Sequence, residues 1–438
     1  MSKFQKKVAS VIAGGALLLN MALPVLAQST TSLVITGNGA DSDNTENVTI
    51  QSSTTVVQDN TAKISNDVDA SSDTGNNDAN KNTGGDVTVQ TGDASTAVAV
   101  SNEANSNVAD VNGCCSVDAW VEISGNGADS DNDASLKLKT DTSVFQTNDA
   151  KIKNDVDADS DTGSNDAEKN TGGDVTIATG DADTAVVISN KANSNWAQIG
   201  NGGGNGSVSL RILGNGADSD NTINLSLARS LTLVQDNFAD IKNKVDADSD
   251  TGNNDANKNT GGDVTIETGD ASTWVGIDNL ANFNWADLNC GCLLDVSAKI
   301  AGNGWKSDND INATLSDSKA AFQTNDFVCG KDGHDGWGLD LVDGWDHHPK
   351  HKKACNDVDA DSDTGSNDAE KNTGFHEGDP TLIETGDAET LVEVATTANS
   401  NVLSEGSGPE FPEFDFDFDF DFGSNWALWW GWLGGIVD

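Results

Sequence analysis

The chain has 438 residues, of which 71 are acidic and 24 are basic, so its formal net charge is −47 at pH 7. This balance excludes nucleic acid as a partner, because phosphate binding needs a basic surface. It favours high solubility and the binding of cations. The six cysteines are an even number, which suits disulfide formation in an exported chain.

The N-terminal residues 1–27 have the pattern of a secretory signal peptide. Three lysines precede an apolar run at 8–19, and Val25 and Ala27 occupy the −3 and −1 positions of a cleavage site. The alternative interpretation is an uncleaved membrane anchor. We therefore expect a secreted protein, either extracellular or at the cell surface.

The rest of the chain contains four copies of a long repeat. A GNG phrase opens at Gly37, Gly125, Gly214 and Gly302, at spacings of 88, 89 and 88 residues. The predicted domains are the signal peptide at 1–27, repeats at 28–113, 114–201, 202–289 and 290–404 (the last with an insertion at 329–355), and a C-terminal segment at 405–438 with a Phe/Asp strand and a Trp-rich tail.

Within each repeat the residue pattern has a period of two. Between Gln146 and Thr162, alternate positions are small, neutral or apolar, whereas the positions between them are almost all charged. This alternation predicts a β-strand with one buried face. A second segment follows the Gly172–Gly173 turn and a third runs from Asn126 to Leu138, so we expect at least three long strands per repeat.

The buried face of these strands is rich in Asn, Ala, Ser, Thr and Val, which suits the narrow interior of a β-solenoid. In such a fold each strand stacks on its counterpart about 4.8 Å away, and buried asparagines form hydrogen-bonded ladders. We predict an all-β protein, a β-solenoid-like stack of four repeats. The alternative is a long-stranded antiparallel β-sandwich or meander, which has the same alternation, and the third interpretation is substantial disorder.

Two short segments resemble the curlin repeat, whose pattern is roughly Gly or Gln, two residues, then Asn-x-Ala-x-hydrophobic-x-Gln. They are QDNTAKISN at 58–66 and QTNDAKIKN at 146–154. Curlins are bacterial surface amyloid subunits built as β-solenoids, so the resemblance implies a secreted protein of stacked strands. This chain departs from the pattern in its 88-residue period, in Asn154 where Gln is expected, and in its acidic outer face.

Aspartates alternate along the charged face of the predicted strands. If the repeats stack in register, like charges face each other and destabilise the sheet. Bound Ca²⁺ would relieve that repulsion, because it takes about six to eight hard oxygen ligands. The other interpretation is a solvated acidic face that prevents edge-to-edge association. The candidate calcium ligands are Asp155, Asp157, Asp159, Asp161, Asp357, Asp359, Asp361 and Asp363.

The insertion in the fourth repeat holds a second candidate metal site. Imidazole suits Zn, Cu or Ni, but the motif matches no catalytic spacing, and a polar surface loop is the alternative. The candidate transition-metal ligands are Asp346, His347, His348 and His351. Trp337 and Trp345 would give this insertion a contact surface for a partner.

The cysteines suggest one clear pairing. Cys329 and Cys355 bracket the insertion, and a disulfide between them would contribute about 3 kcal/mol through chain entropy. The pairing of the other four stays open, because adjacent cysteines make strained local bridges. These are Cys114, Cys115, Cys290 and Cys292.

The C-terminal segment alternates Phe and Asp and then becomes rich in Trp. Its apolar part is too short to span a bilayer, which needs about 20 apolar residues, but Trp favours the membrane interface. Docking on another subunit, or on the last coil, is the alternative. The candidate partner-binding residues are Phe416, Phe418, Phe420, Trp426, Trp429, Trp430 and Trp432.

No nucleophile-base-acid order and no phosphate loop is present in the sequence, so we do not predict an enzyme. We predict a secreted, acidic β-repeat protein with a structural or adhesive role at the cell surface, including self-assembly into fibres. The alternative function is an extracellular module that binds calcium or a transition metal. No cofactor other than Ca²⁺ is expected.

Overall fold

The computed structural model describes residues 19–22, 29–111, 117–200, 207–288, 295–329, 355–374 and 380–404. The regular secondary structure in these ranges consists entirely of β-strands. Over the same ranges, no helix is long and apolar enough to cross a membrane. The predicted repeat boundaries, near residues 113, 201 and 289, lie outside the described residues.

The strands form four coils of one design. Strand β1 is Leu19–Ala22. Coil 1 (29–111) contains β2 (Ser29–Thr36), β3 (Asp43–Asp73), β4 (Val87–Gln90) and β5 (Ala94–Val111). Coil 2 (117–199) contains β6 (Val117–Ser124), β7 (Asp131–Asp161), β8 (Val175–Ala178) and β9 (Ala182–Ile199). Coil 3 (207–288) contains β10 (Ser207–Leu213), β11 (Asp220–Asp250), β12 (Val264–Glu267) and β13 (Ala271–Leu288). Coil 4 (295–404) contains β14 (Asp295–Ala301), β15 (Asp308–Val328), β16 (Asn356–Asp363), β17 (Thr381–Glu384) and β18 (Ala388–Ser404).

Equivalent strands of successive coils pair in parallel and in register. Val156 of coil 2, for example, lies between Val68 of coil 1 and Val245 of coil 3. This stack of four sheets confirms the predicted all-β, solenoid-like fold. The antiparallel sandwich or meander is wrong, because all pairings between the described strands are parallel.

The two segments predicted at 126–138 and 146–162 belong to a single strand. β7 runs for 31 residues without a break, because its inward positions keep the same phase through the buried side chains of Leu138, Thr142 and Gln146. At about 3.3 Å per residue, this strand extends for about 100 Å.

Each coil folds into two walls that face each other. The 31-residue strand forms the first wall in coils 1 to 3, and β15 and β16 together take its place in coil 4. The second wall is formed by the strand that precedes the long strand, such as β6, and by the longer strand that follows it, such as β9. Leu210 of β10 packs in one apolar cluster with Leu136 of β7, and Val186 of β9 packs in another with Val156 of β7. The interior is therefore a thin layer between two sheets, which is why small side chains suit it.

Buried asparagines cross-link this interior. The amide of Asn195 in coil 2 is fully buried, and its Oδ1 accepts hydrogen bonds from Nδ2 of Asn107 (3.0 Å) and Asn148 (2.9 Å). Its Nδ2 donates to Oδ1 of Asn237 (2.9 Å) and Asn284 (3.0 Å). The predicted ladder therefore joins the two walls as well as the coils, and it satisfies polar groups that would be costly to bury alone.

A glycine turn ends each long strand. The backbone N–H of Gly163 donates to Oδ1 of Asp161 at 2.7 Å, which closes the turn after β7. A side-chain carbon added at Gly163 would lie only 1.9 Å from the carbonyl oxygen of Gly252 in coil 3. Glycine is required here because the next coil leaves no room for a side chain.

Strand β1 lies within the predicted signal peptide. Leu19–Ala22 pairs in parallel with Ser106–Ala109 at the free edge of β5 in coil 1. If residues 1–27 are cleaved as predicted, this part of the β5 edge becomes free.

Candidate functional site

The charged face predicted from the sequence lies on the outer side of the long wall. In β7, Val156 and Ala158 are buried, and Asp157 and Asp159 alternate with them and are partly or fully exposed. Because the coils are in register, equivalent aspartates stack into acidic rows. Three such rows are Asp69–Asp157–Asp246–Asp359, Asp159–Asp248–Asp361 and Asp73–Asp161–Asp250–Asp363.

The two predicted sets of calcium ligands do not lie next to each other. The set at 155–161 belongs to coil 2 and the set at 357–363 to coil 4, with coil 3 between them. The nearest carboxylates to both sets are those of Asp246, Asp248 and Asp250 in coil 3. A cation bound between stacked carboxylates would therefore use aspartates of coil 3, or of coil 1 beside the first set, and neither group was predicted as ligands.

Asp155 has lysine partners. Its carboxylate lies 3.2 Å from Nζ of Lys153 and 3.6 Å from Nζ of Lys244. Lys244 takes the place that an aspartate has in the other coils, and it pairs on its other side with Asp357 in the strand ladder. The lysines partly neutralise the row Asp67–Asp155–Lys244–Asp357. Of this row and the three acidic rows named above, it is the least suited to binding a cation.

Asp161 and Asp363 have a structural role. Oδ1 of Asp161 accepts the N–H of Gly163 at 2.7 Å, and Oδ1 of Asp363 accepts the N–H of Gly365 at 2.6 Å. These side chains hold the turns at the ends of the long strands. The alternating pattern could not distinguish them from the aspartates that precede them.

The rows through Asp157 and Asp159 are the best candidates for a cation site. Burial raises the pKa of Asp159, and the charges of Asp157, Asp246 and Asp69 raise it further. The pKa of Asp248 is raised to about 6, first by burial and then by the neighbouring aspartates. Like charges held together in this way are stabilised by a proton or by a hard cation.

One further acidic group was not predicted. Asp166, Glu168 and Asp255 place three carboxylate oxygens within 4.8 Å of one another, next to the turn that follows the long strand. Lys258 lies 3.5 Å from Glu168, and Lys169 also donates a hydrogen bond to it. That hydrogen bond is the main reason why the pKa of Glu168 is lowered. Of the three carboxylates, Glu168 is the one paired with lysines. Within the described part of the chain, one carboxylate oxygen each of Asp166 and Asp255 is buried without a hydrogen bond.

A disulfide joins Cys329 and Cys355, as the bracketed insertion suggested, with their Cα atoms 4.4 Å apart. Strand β15 ends at Val328 and β16 begins at Asn356, so the insertion leaves and re-enters the wall at one point. The other predicted residues of the insertion lie outside the described residues. These are Asp346, His347, His348, His351, Trp337 and Trp345.

The predicted partner-binding residues of the C-terminal segment also lie outside the described residues. They are Phe416, Phe418, Phe420, Trp426, Trp429, Trp430 and Trp432. The same is true of the four cysteines whose pairing was left open, which are Cys114, Cys115, Cys290 and Cys292.

An aromatic cluster on the outer side of β9 and β13 was missed from the sequence. The rings of Trp196 and Trp285 stack with their centroids 5.1 Å apart. Trp285 and Phe283 are buried although they alternate with inward-facing asparagines. A cavity of about 720 Å³ adjoins Trp196 and Phe283. The signal was the repeated Asn-x-Asn motif, which Trp follows at 193–196 and 282–285 and Val follows at 105–108 and 399–402.

Comparison with known proteins gives no relative. No family model, no curated protein and no solved structure matches the chain. The functional argument therefore rests on the geometry of the coils.

Proposed function

We propose that this chain is an exported, non-enzymatic structural or adhesive protein of the cell surface. One observation carries the proposal: four long coils stack in register, with hydrogen-bonded amides inside and rows of carboxylates outside. This arrangement gives a stiff plate with an acidic surface and places no convergent catalytic group in its interior, as far as the described residues extend. The cleavable N-terminal signal predicted at 1–27 supports export.

The test is surface labelling of intact cells combined with deletion of the gene. We expect antibodies against the folded protein to label intact cells, and the deletion strain to lose surface attachment or envelope integrity. A protein that stays inside the cell, or a deletion that changes neither property, would contradict the proposal. The tail at 405–438 and the insertion at 329–355 supply the adhesive contacts in this account, with a cell-surface component or the membrane interface as partner.

Calcium binding is the second candidate function, and the acidic rows favour it. A cation between stacked carboxylates would replace repulsion by cross-linking. We expect millimolar Ca²⁺ to raise the melting temperature, since a ligand at about 100 times its Kd adds about 2.7 kcal/mol to the stability of the folded state.

Substitutions in different acidic rows test which row binds Ca²⁺. The double variant Asp157→Asn and Asp159→Asn should remove the Ca²⁺ response, whereas Asp155→Asn should keep it, because Asp155 is paired with lysines. A melting curve that Ca²⁺ leaves unchanged would reject the role. Binding of a transition metal by Asp346, His347, His348 and His351 is tested by titration with Zn²⁺ and with Ni²⁺.

A further inference from the structure

Coil 4 forms one end of the stack, which we call the upper edge, and coil 1 forms the other end, the lower edge. The two edges are complementary, and we propose that coil 1 of a second copy of the chain stacks on coil 4 of the first copy, head to tail. This inference rests on the proposed structural function and names its partner and its contact surface. It follows from three features of the coils: the direction of the side-chain hydrogen bonds, the positions of open glycines and the exposure of coil 4.

The asparagine ladders have a direction. At the start of each coil, the backbone N–H of one asparagine donates to Oδ1 of the equivalent asparagine in the next coil. Asn38 donates to Asn126 at 3.1 Å, Asn126 to Asn215 at 3.1 Å, and Asn215 to Asn303 at 3.0 Å. Every step points from coil 1 towards coil 4.

The same direction holds in the turn after the long strand. Asn77 N–H donates to Asn165 at 3.1 Å, and this series continues through Asn254 to Asn367. A third ladder starts at Asn82, whose N–H donates to Asn170 at 2.8 Å.

The ends of these ladders match each other. Over the described residues, no hydrogen bond reaches Oδ1 of Asn38 or Asn77 in coil 1, and the backbone N–H groups of Asn303 and Asn367 in coil 4 donate none. Coil 4 thus presents donors where coil 1 presents acceptors. Head-to-tail stacking pairs them, whereas stacking of two coil 4 faces would oppose donor to donor.

The glycine turns show how closely the two edges would meet. An added side-chain carbon would lie 2.0 Å from the next coil's glycine oxygen at Gly75, 1.9 Å at Gly163 and 2.0 Å at Gly252. At Gly365 in coil 4 the nearest atom is Oδ1 of its own Asp363, at 3.1 Å. In a stack, this position would face the Gly75 oxygen of the upper copy.

Gly39 is the counterpart at the lower edge. Side-chain carbons added at Gly127, Gly216 and Gly304 would each lie 2.4 Å from a backbone nitrogen of the coil below, whereas nothing lies within 4 Å of the same position at Gly39. Gly39 and Gly365 are therefore both open in a single copy and both enclosed in a stack.

The upper edge also leaves apolar groups uncovered. Val392 and Val394 of β18 are 43% and 47% exposed, whereas Val186 and Ile188, their equivalents in coil 2, are fully buried. The lower edge carries β1 on Ser106–Ala109, so stacking requires its removal, which the predicted cleavage after Ala27 would provide. The exported form is the one that stacks.

The experiment compares association of the exported protein, from which residues 1–27 have been removed, with that of two variants, by sedimentation velocity and negative-stain electron microscopy. Salt at about 0.5 M screens the repulsion between acidic rows of adjoining copies. We expect wild type to form end-to-end multimers, and Gly39→Ala and Gly365→Ala each to weaken association by about 10- to 100-fold. Thr397→Ala, on the outer face of coil 4, is the control and should associate like wild type. The melting temperature of each variant monomer should stay within about 4 °C of that of wild type.

Mixing the two variants tests the polarity. Gly39→Ala keeps an intact coil 4 edge and Gly365→Ala keeps an intact coil 1 edge, so the mixture should form dimers and stop there. Dimers of Gly39→Ala alone would overturn the head-to-tail arrangement. Multimers that both variants leave unchanged would place the contact elsewhere, for example in 405–438, and would also overturn it.

A folded, exported wild-type protein that stays monomeric would reject the stacking but leave the surface role intact. A chain that is not exported would instead reject the proposed function.

Discussion

Coils 2 and 4 carry nearly the same sequence motifs in different surroundings. Asn195 of coil 2 is fully buried with an asparagine above and below it, whereas Asn401, its equivalent in coil 4, is exposed. Thr184 of coil 2 is buried, and Thr390 of coil 4 is exposed. A repeat in a solenoid is therefore stabilised mainly by its neighbours, and identical substitutions should cost more in coil 2 than in coil 4.

The largest difference is expected at the glycine turns. Gly163→Ala places a carbon 1.9 Å from the Gly252 oxygen, and relief requires a backbone shift that breaks the ladder. We expect a loss of about 3 kcal/mol or more in the free energy of unfolding. Gly365→Ala in coil 4 should cost less than about 1 kcal/mol in the monomer. Urea denaturation measures both, and equal costs would contradict the stacked turn.

The second difference concerns the ladder amides. Asn195→Ala removes four hydrogen bonds to amide partners in the interior, which should cost about 2–4 kcal/mol. Asn401→Ala removes fewer bonds at an exposed position and should cost about 1 kcal/mol or less. The same denaturation measurement applies, and a larger loss at Asn401 would reverse the comparison.

The smallest expected effect is a change of stability with pH, which is caused by Asp183 on the outer face of β9. Burial raises the pKa of Asp183 to about 7, with the charges of Asp181, Asp93 and Asp270 as further causes. The folded chain thus holds this proton more tightly than the unfolded chain, whose aspartate pKa is about 3.9. The stabilisation is complete below about pH 4 and is lost as the pH rises through about 7.

The melting temperature should therefore be higher at about pH 5 than at about pH 8. Asp183→Asn should raise the melting temperature at the higher pH and reduce the difference between the two. Asp155→Asn, which removes a carboxylate paired with lysines, should give no such gain. A wild-type melting temperature that rises from pH 5 to pH 8 would contradict the assignment.

The sequence was sufficient for part of this structure. The alternation around Val156 and Asp157 predicted which side chains face inward, because a strand has only two faces. The 88-residue spacing predicted which residues stack. The alternation could not distinguish parallel from antiparallel pairing, since both have a period of two.

The candidate site was less predictable than the fold. A row depends on residues about 88 positions apart, so the role of Asp155 depends on Lys244, and that of Asp161 on the turn at Gly163. The stacking of Trp196 on Trp285 depends on the two coils being adjacent in space. These roles follow from the contacts between coils, which the predicted ligand sets did not include.

The register between coils is the central claim, and a cysteine cross-link tests it most directly. Thr49 and Lys137 are direct neighbours on β3 and β7, at a separation of about 5 Å that a disulfide can span. We predict efficient oxidation of the pair Thr49→Cys with Lys137→Cys, mapped by mass spectrometry. The pair Thr49→Cys with Lys139→Cys, about 8 Å apart on the same face, should link poorly. Preferential linking of the second pair would contradict the in-register stack.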